Sequence, residues 1–167
     1  MERRGVSNMA IDSRAKGQRA EYQVRDLLRK QTELQWERVP GSGGFNVSHG
    51  LKGDLYVPDE AYTIKHCIEV KHYQDDVVNS NLFNVSVSQL ERFWLQTVRE
   101  AGQLGKEPLL IFKKTRGKWL VGTLEPVEAP VELVLTTEAM EDTIYIYLFS
   151  VWLEQQTAKT LTIQENN

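Results

Sequence analysis

The sequence predicts an α/β domain: a central mixed β-sheet flanked by helices, with a β-rich C-terminal extension. Three observations carry this. Two segments, one from about Ser13 and one from about Ser86, repeat apolar residues at helical spacing. Short runs rich in Val, Ile, Leu and aromatic residues lie between and after them, bounded by Gly, Pro and Asp. The 167 residues suit one domain and are too short for two comfortable ones.

Residues 1–12 read as a loose arm. The first helix follows, with Ala20, Val24, Leu27 and Leu28 as its apolar stripe. Residues 36–39 suit a short strand. Pro40-Gly41-Ser42-Gly43-Gly44 excludes helix and regular strand, and the loop is expected to continue through Phe45, His49 and Gly50 to Gly53. Residues 54–57 have strand character and end at the turn pair Pro58-Asp59. Residues 64–71 (IKHCIEVK) form the next strand, so the two read as a hairpin. In the second helix, Ser86 with Gln89 fits a capping box and Val85 with Leu90 a hydrophobic staple; Ser88 with Glu91 offers a competing register. Leu90, Phe93, Trp94, Thr97, Val98 and Ala101 follow helical spacing, and Gly102 or Gly105 ends the helix. Residues 109–113 and 119–124 read as strands joined by a turn at 115–118. Two more strand-like runs cover 131–136 and 143–149, and the polar end, 155–167, is expected to fray. The domain reading is an arm at 1–12, one domain at 13–154 (core 13–124, extension 125–154) and a tail at 155–167.

Apolar residues make up 41% and charged residues 26%, which argues against disorder and against a fibre. No window approaches the roughly 18 continuous apolar residues of a spanning helix. The N-terminus has charge but lacks the apolar stretch of a signal peptide. One cysteine, Cys67, excludes an internal disulfide and fits a reducing, cytoplasmic setting. The net charge of −3 conceals an asymmetry: residues 1–124 carry 19 basic and 15 acidic residues, residues 125–167 carry 1 and 8. A mildly basic body joined to an acidic end hints at an anionic partner.

Glu69-Val70-Lys71 lies on a predicted strand, so Glu69 and Lys71 share a face. An ordinary ion pair is one reading. Asp54 opens the preceding strand after the glycine-rich loop, and a hairpin would bring its carboxylate beside Glu69. Two carboxylates at one sheet edge repel unless a cation joins them, and Mg²⁺ takes such oxygen ligands while keeping several waters. The plainer reading of Asp54 is a loop-end carboxylate capping backbone donors. Glu21 is a third candidate, with a pair to Arg25 as its plainer role. Carboxylates followed by a lysine suit metal-dependent phosphodiester hydrolysis: the metal acidifies a bound water and the lysine orients it and meets developing charge. Arg14, Lys16, Arg19, Arg38 and Lys52 flank this set and suit phosphates. His49, His66, His72 and Cys67 match no structural zinc spacing. Phe45 suits either a stacking role on an unpaired base or a hydrophobic anchor.

These residues carry a resemblance. Lys16-Gly17-Gln18-Arg19-Ala20-Glu21 is similar to the opening helix motif of archaeal-type Holliday junction resolvases. Residues 38–44 resemble their R-x-x-G-S-G segment. Gly53-Asp54 and Ile68-Glu69-Val70-Lys71 resemble their aspartate and E-V-K strands, within the wider PD-(D/E)-x-K nuclease superfamily. Ser88-Gln89-Leu90, the helix after it and the strand at 108–113 match the next two elements. The resemblance covers residues 14–124.

It implies a restriction-endonuclease-like core and a divalent-metal-dependent endodeoxyribonuclease acting on four-way DNA junctions as a homodimer, through paired nicks. It implies Mg²⁺, with Mn²⁺ as a substitute. Glu21, Asp54 and Glu69 would be acidic site residues, with Asp54, Glu69 and the Val70 carbonyl as metal ligands and Glu21 close to the metal. Lys71 would be the catalytic lysine. Ser42 would be the site serine, with Ser48 competing, and Gln89 a helix residue facing the site or the capping glutamine. A general, mismatch or restriction-type endonuclease is the alternative, and a non-catalytic DNA-binding module the second. Three departures stand out: Gly53 occupies the usual proline position, the loop 43–53 is long, and residues 125–167 have no counterpart. The expected setting is the cytoplasm of a prokaryote or of a phage-infected host, with no membrane partner.

Overall fold

The computed structural model describes residues 4–41, 51–74 and 87–164, and for 4–13 and 87–88 the backbone alone. Ser42, Phe45, Ser48, His49, Val85 and Ser86 therefore lie outside the described residues, as does the side chain of Ser88.

Helix α1 spans Arg4–Thr32 and so begins well before Ser13; the stretch 4–12, expected as a loose arm, is helical. Ala20, Val24 and Leu28 are buried at i, i+4 and i+8, as their spacing requires. Leu27 departs from the expected stripe. It is 40% exposed, because the sheet face under α1 covers a narrower arc than the sequence pattern implies. The helix ends where Thr32 Oγ1 donates to the Leu28 carbonyl and accepts from Trp36 Nε1 and the Leu34 amide.

Seven strands form one mixed sheet: β1 (Glu37–Arg38), β2 (Leu55–Tyr56), β3 (His66–Tyr73), β4 (Glu107–Lys114), β5 (Leu120–Thr123), β6 (Leu133–Leu135) and β7 (Ile144–Leu148). Their order is β1-β2-β3-β4-β5-β7-β6. The hairpin reading of the second and third strands holds, with Leu55 opposite Ile68. β3 and β4 are parallel, and all other pairs are antiparallel. The parallel pair follows from helix α2 (Val87–Leu104), which carries the chain back across the sheet. Gly105, at φ 64°, ends α2 as Lys106 donates to the Ala101 carbonyl.

The sheet separates two cores. On one face α1 packs over Ile68, Val70, Leu109 and Ile111. On the other, Leu90 and Trp94 of α2 pack over Tyr73, Leu110 and Phe112. Alternation along β3 thus sends Glu69 and Lys71 toward α2 and His72 toward α1.

The extension differs from its sequence reading. The chain leaves β7 at Leu148 and enters α3 (Phe149–Glu154), then α4 (Ala158–Leu161). The two-residue alternation of 143–148 masks a helical spacing at Phe149, Trp152 and Leu153, all buried. Nor does the tail fray over its described residues. Leu161 is buried, Lys65 donates to its carbonyl, and Ile163 donates to Thr63. No described helix is long and apolar enough to cross a membrane.

Candidate active site

The site grows from the point where β2 and β3 part. Gly53 precedes β2 with φ 78°, and a Cβ there would stand 2.7 Å from the Ile68 carbonyl and 3.0 Å from Cys67 Sγ. Only glycine tolerates both the left-handed backbone and that approach. Proline is excluded by its fixed negative φ, which gives the departure at this position a physical reason. With Gly53 in place, the Asp54 amide donates to the Ile68 carbonyl at 2.8 Å and the Asp54 carbonyl accepts from Val39.

Asp54 Oδ2 then accepts the Val70 amide at 2.7 Å. The carboxylate stands in for a strand partner that β2 no longer supplies. Both sequence readings of Asp54 meet here, since it caps a backbone donor and lies at the Glu69 edge. The Val70 carbonyl points to the same edge as its amide.

Glu69 is buried at 3% exposure. Among the described residues its ion-pair partner is Lys71, whose Nζ lies 3.9 Å from Oε2. Lys71 also sits over the Phe93 ring at 5.8 Å. Burial and a hydrogen bond shared with Glu100 hold the Glu69 carboxyl far above its ordinary pKa, with the charges of Asp54 and Glu100 adding to this. Burial also raises Asp54, to about 6, against the opposing Val70 amide; the Glu21 charge raises it further.

Glu100 was not foreseen. It lies on α2, seven residues after Phe93 and three after Thr97, within the apolar stripe. A glutamate at such a position is the signal that could have found it. Its Oε2 is buried with no hydrogen-bond partner among the described residues.

Glu21 does not pair with Arg25, which binds Asp26 instead. It accepts from Arg38 Nε at 2.5 Å, linking α1 to β1. Arg38 also stacks over the Tyr22 ring, 5.0 Å from its centroid. Two motifs far apart in sequence are thereby joined. Among the described residues no three His, Cys, Asp or Glu side chains converge as a ready metal-binding group. Asp54 and Glu69 remain as a two-carboxylate oxygen set, which suits a hard cation that keeps most of its water. The raised Glu69 carboxyl and the unpartnered Glu100 oxygen fit a place built for added positive charge.

The remaining candidates are dispersed. Gln89 is half-buried on the first described turns of α2. Arg14 and Arg19 are exposed on α1, Lys16 donates to Thr115 Oγ1 at 2.9 Å, and Lys52 borders a separate cleft with Tyr56 and Lys106. Burial raises the Cys67 thiol to about 12, and burial with the charges of Lys65 and Lys106 lowers His66 to about 4.

Protein D14 of Escherichia phage T5 is 50% identical over 160 residues, covering 92% of this chain and 99% of that protein. The solved structure of Hjc, a Holliday junction resolvase from Archaeoglobus fulgidus, is similar over 89% of this chain and 91% of its own, at 20% identity and a TM-score of 0.39. Residues 12–164 match the family described as "Phage putative PDDEXK endonuclease". That match spans most of the sequence and the whole site just described, and the chain belongs to this phage PDDEXK endonuclease family.

Proposed function

We propose that this chain is a divalent-metal-dependent endonuclease that resolves four-way DNA junctions, working as a homodimer that makes paired nicks. The observation that carries the reading is the meeting of Asp54, Glu69 and Lys71 at one sheet edge, from two motifs in the order of the resolvase pattern. Asp54, Glu69 and the Val70 carbonyl would hold the metal, Mg²⁺ or Mn²⁺, with Glu21 near it. When bound, that ion lowers the pKa of a water and draws a phosphate oxygen.

The chain's own residues do the rest. Lys71 orients the attacking water and meets charge that builds on the phosphate. Lys71 is half-buried beside the buried Glu69 carboxyl. Arg38, fixed by Glu21 and Tyr22, presents a guanidinium to a backbone phosphate. Arg14, Lys16, Arg19 and Lys52 hold phosphates farther along the DNA. Ser42 and Gln89 complete the proposed set from the loop and from α2.

The test is cleavage of a labelled synthetic four-way junction beside its linear duplex, in Mg²⁺ and in EDTA, by wild type and by Glu69→Gln. Symmetric metal-dependent nicking of the junction alone, lost in the variant, is the expected result. Equal cutting of both DNAs would move the function to a general endonuclease. Binding without cutting in Mg²⁺ or Mn²⁺ would leave a DNA-binding module.

A further inference from the structure

Residues of three elements converge on the α1 face of the sheet, away from Glu69 and Lys71. Lys16 of α1 is fixed by Thr115 in the turn after β4. Lys113, at the end of β4, holds its Nζ 5.6 Å from the Trp119 ring centroid. His72, at the end of β3, is paired in register with Lys113, and its ring lies 6.2 Å from that of Trp119. Arg19 is exposed one turn along α1 from Lys16.

This concentration of charge is uncompensated. Among the described residues Lys16, Arg19 and Lys113 have no carboxylate partner, whereas Arg25, Arg29 and Arg38 each have one. His72 lies among these side chains, opposite Lys113 in the sheet and against the Trp119 ring. Its Nε2 is buried with no hydrogen-bond partner among the described residues. Lys16, Arg19 and Lys113 are three cations with no carboxylate to offset their mutual repulsion, and an anion supplies that offset. The half-exposed indole beside them offers a flat surface to a sugar or base. Sequence reading placed Lys16 and Arg19 near phosphates but gave no role to His72, Lys113 or Trp119.

We propose that Lys16, Arg19, Lys113 and Trp119 form a second phosphate-binding site, which holds the DNA backbone at a distance from the scissile phosphate. The site rests on the nuclease reading for its ligand but not for its test. It lies on the opposite sheet face from Lys71, so it engages a flanking stretch of DNA. The phosphates supply the missing negative charge, and Trp119 covers the neighbouring nucleotide.

The molecule carries its own reporter. Trp36, Trp94 and Trp152 are 0%, 0% and 2% exposed, so Trp119 is the tryptophan that a soluble quencher reaches. The experiment measures acrylamide quenching of the full chain's tryptophan emission with and without duplex DNA, in EDTA so that nothing is cut. DNA is expected to protect the accessible fraction, and Trp119→Phe is expected to remove that fraction. Binding is then titrated against salt for wild type, Lys113→Gln and Lys16→Gln. Each variant is expected to flatten the log–log slope by about 0.9, so a roughly fourfold rise in salt costs it about 3.5-fold less affinity than a full set of contacts would.

Quenching unchanged by bound DNA would overturn the proposal, and so would wild-type slopes in both variants. The quenching arm uses wild type, so a variant that fails to fold leaves the test intact. A chain that cuts DNA yet leaves Trp119 unprotected refutes this site and keeps the nuclease reading. A chain that never cuts but protects Trp119 keeps the site and removes the nuclease reading.

Discussion

Replacing Gly53 by alanine tests the construction of the site most directly. The new Cβ meets the Ile68 carbonyl at 2.7 Å and Cys67 Sγ at 3.0 Å, and the backbone must hold φ 78°. The left-handed backbone alone costs about 1–2 kcal/mol. Crowding a buried carbonyl adds about 1–3 kcal/mol. A total of about 2–5 kcal/mol corresponds to a fall of about 5–15 °C in Tm for a domain of this size. Relief requires the Gly53–Asp54 peptide to move away from β3. That breaks the Asp54 amide bond to Ile68 and draws Oδ2 from the Val70 amide. On the nuclease reading, a displacement of about 1 Å at Asp54 lowers cleavage about 100-fold. The assays are thermal unfolding and single-turnover cleavage, with Gly102→Ala as the control. At Gly102, within α2, a Cβ meets nothing within 4 Å, and alanine there gains up to about 1 kcal/mol of helix preference. A Gly53→Ala protein that melts within about 1 °C of wild type would refute the reasoning.

Other outcomes follow from the same structure. Lys71→Ala is expected to lower the cleavage rate about 10²–10³-fold at saturating DNA, the scale of losing one group that meets transition-state charge. The Asp54 carboxyl is raised from 3.8 to about 6, so the folded state binds the extra proton between those values. Its contribution to metal-free stability is therefore greatest below pH 4 and is lost as pH rises through about 6. Asp54→Asn should then stabilise the metal-free protein at pH 8 by up to about 3 kcal/mol and change little near pH 3, read by urea unfolding at both pH values. Glu100→Gln replaces a buried carboxylate that has one unpartnered oxygen by a neutral amide, which removes charge from a buried place. About 1 kcal/mol of added metal-free stability at pH 8 is expected in the same assay. Leu161→Ala, at a side chain 1% exposed, should cost about 2–4 kcal/mol, a loss that a frayed tail would not show.

The readable parts of the site were those held by local rules. Strand alternation put Glu69 and Lys71 on one face, and the hairpin brought Asp54 to that strand. The partner of Glu21 was misjudged because a helix neighbour four residues away is visible in a sequence and Arg38 on another element is not. Glu100 was passed over for the same reason. Its importance comes from the carboxyl it meets across the α2–β3 interface, not from anything beside it in the chain. Lys113 and Trp119 looked like an ordinary strand end and a strand start until β3, β4 and α1 brought His72 and Lys16 beside them.

By itself the sequence determined the alternation of helix and strand, the amphipathic faces of α1 and α2, and the order of the motifs. Each of these depends on neighbours within a turn or a pleat, where spacing alone dictates what can be buried. The tertiary structure decided the rest. It turned 149–154 into a helix, seated Leu161 against the sheet, tied Glu21 to Arg38 and crowded Glu69 with Glu100. Those results depend on what lies across an interface, and long-range burial and charge act between residues that no local pattern connects.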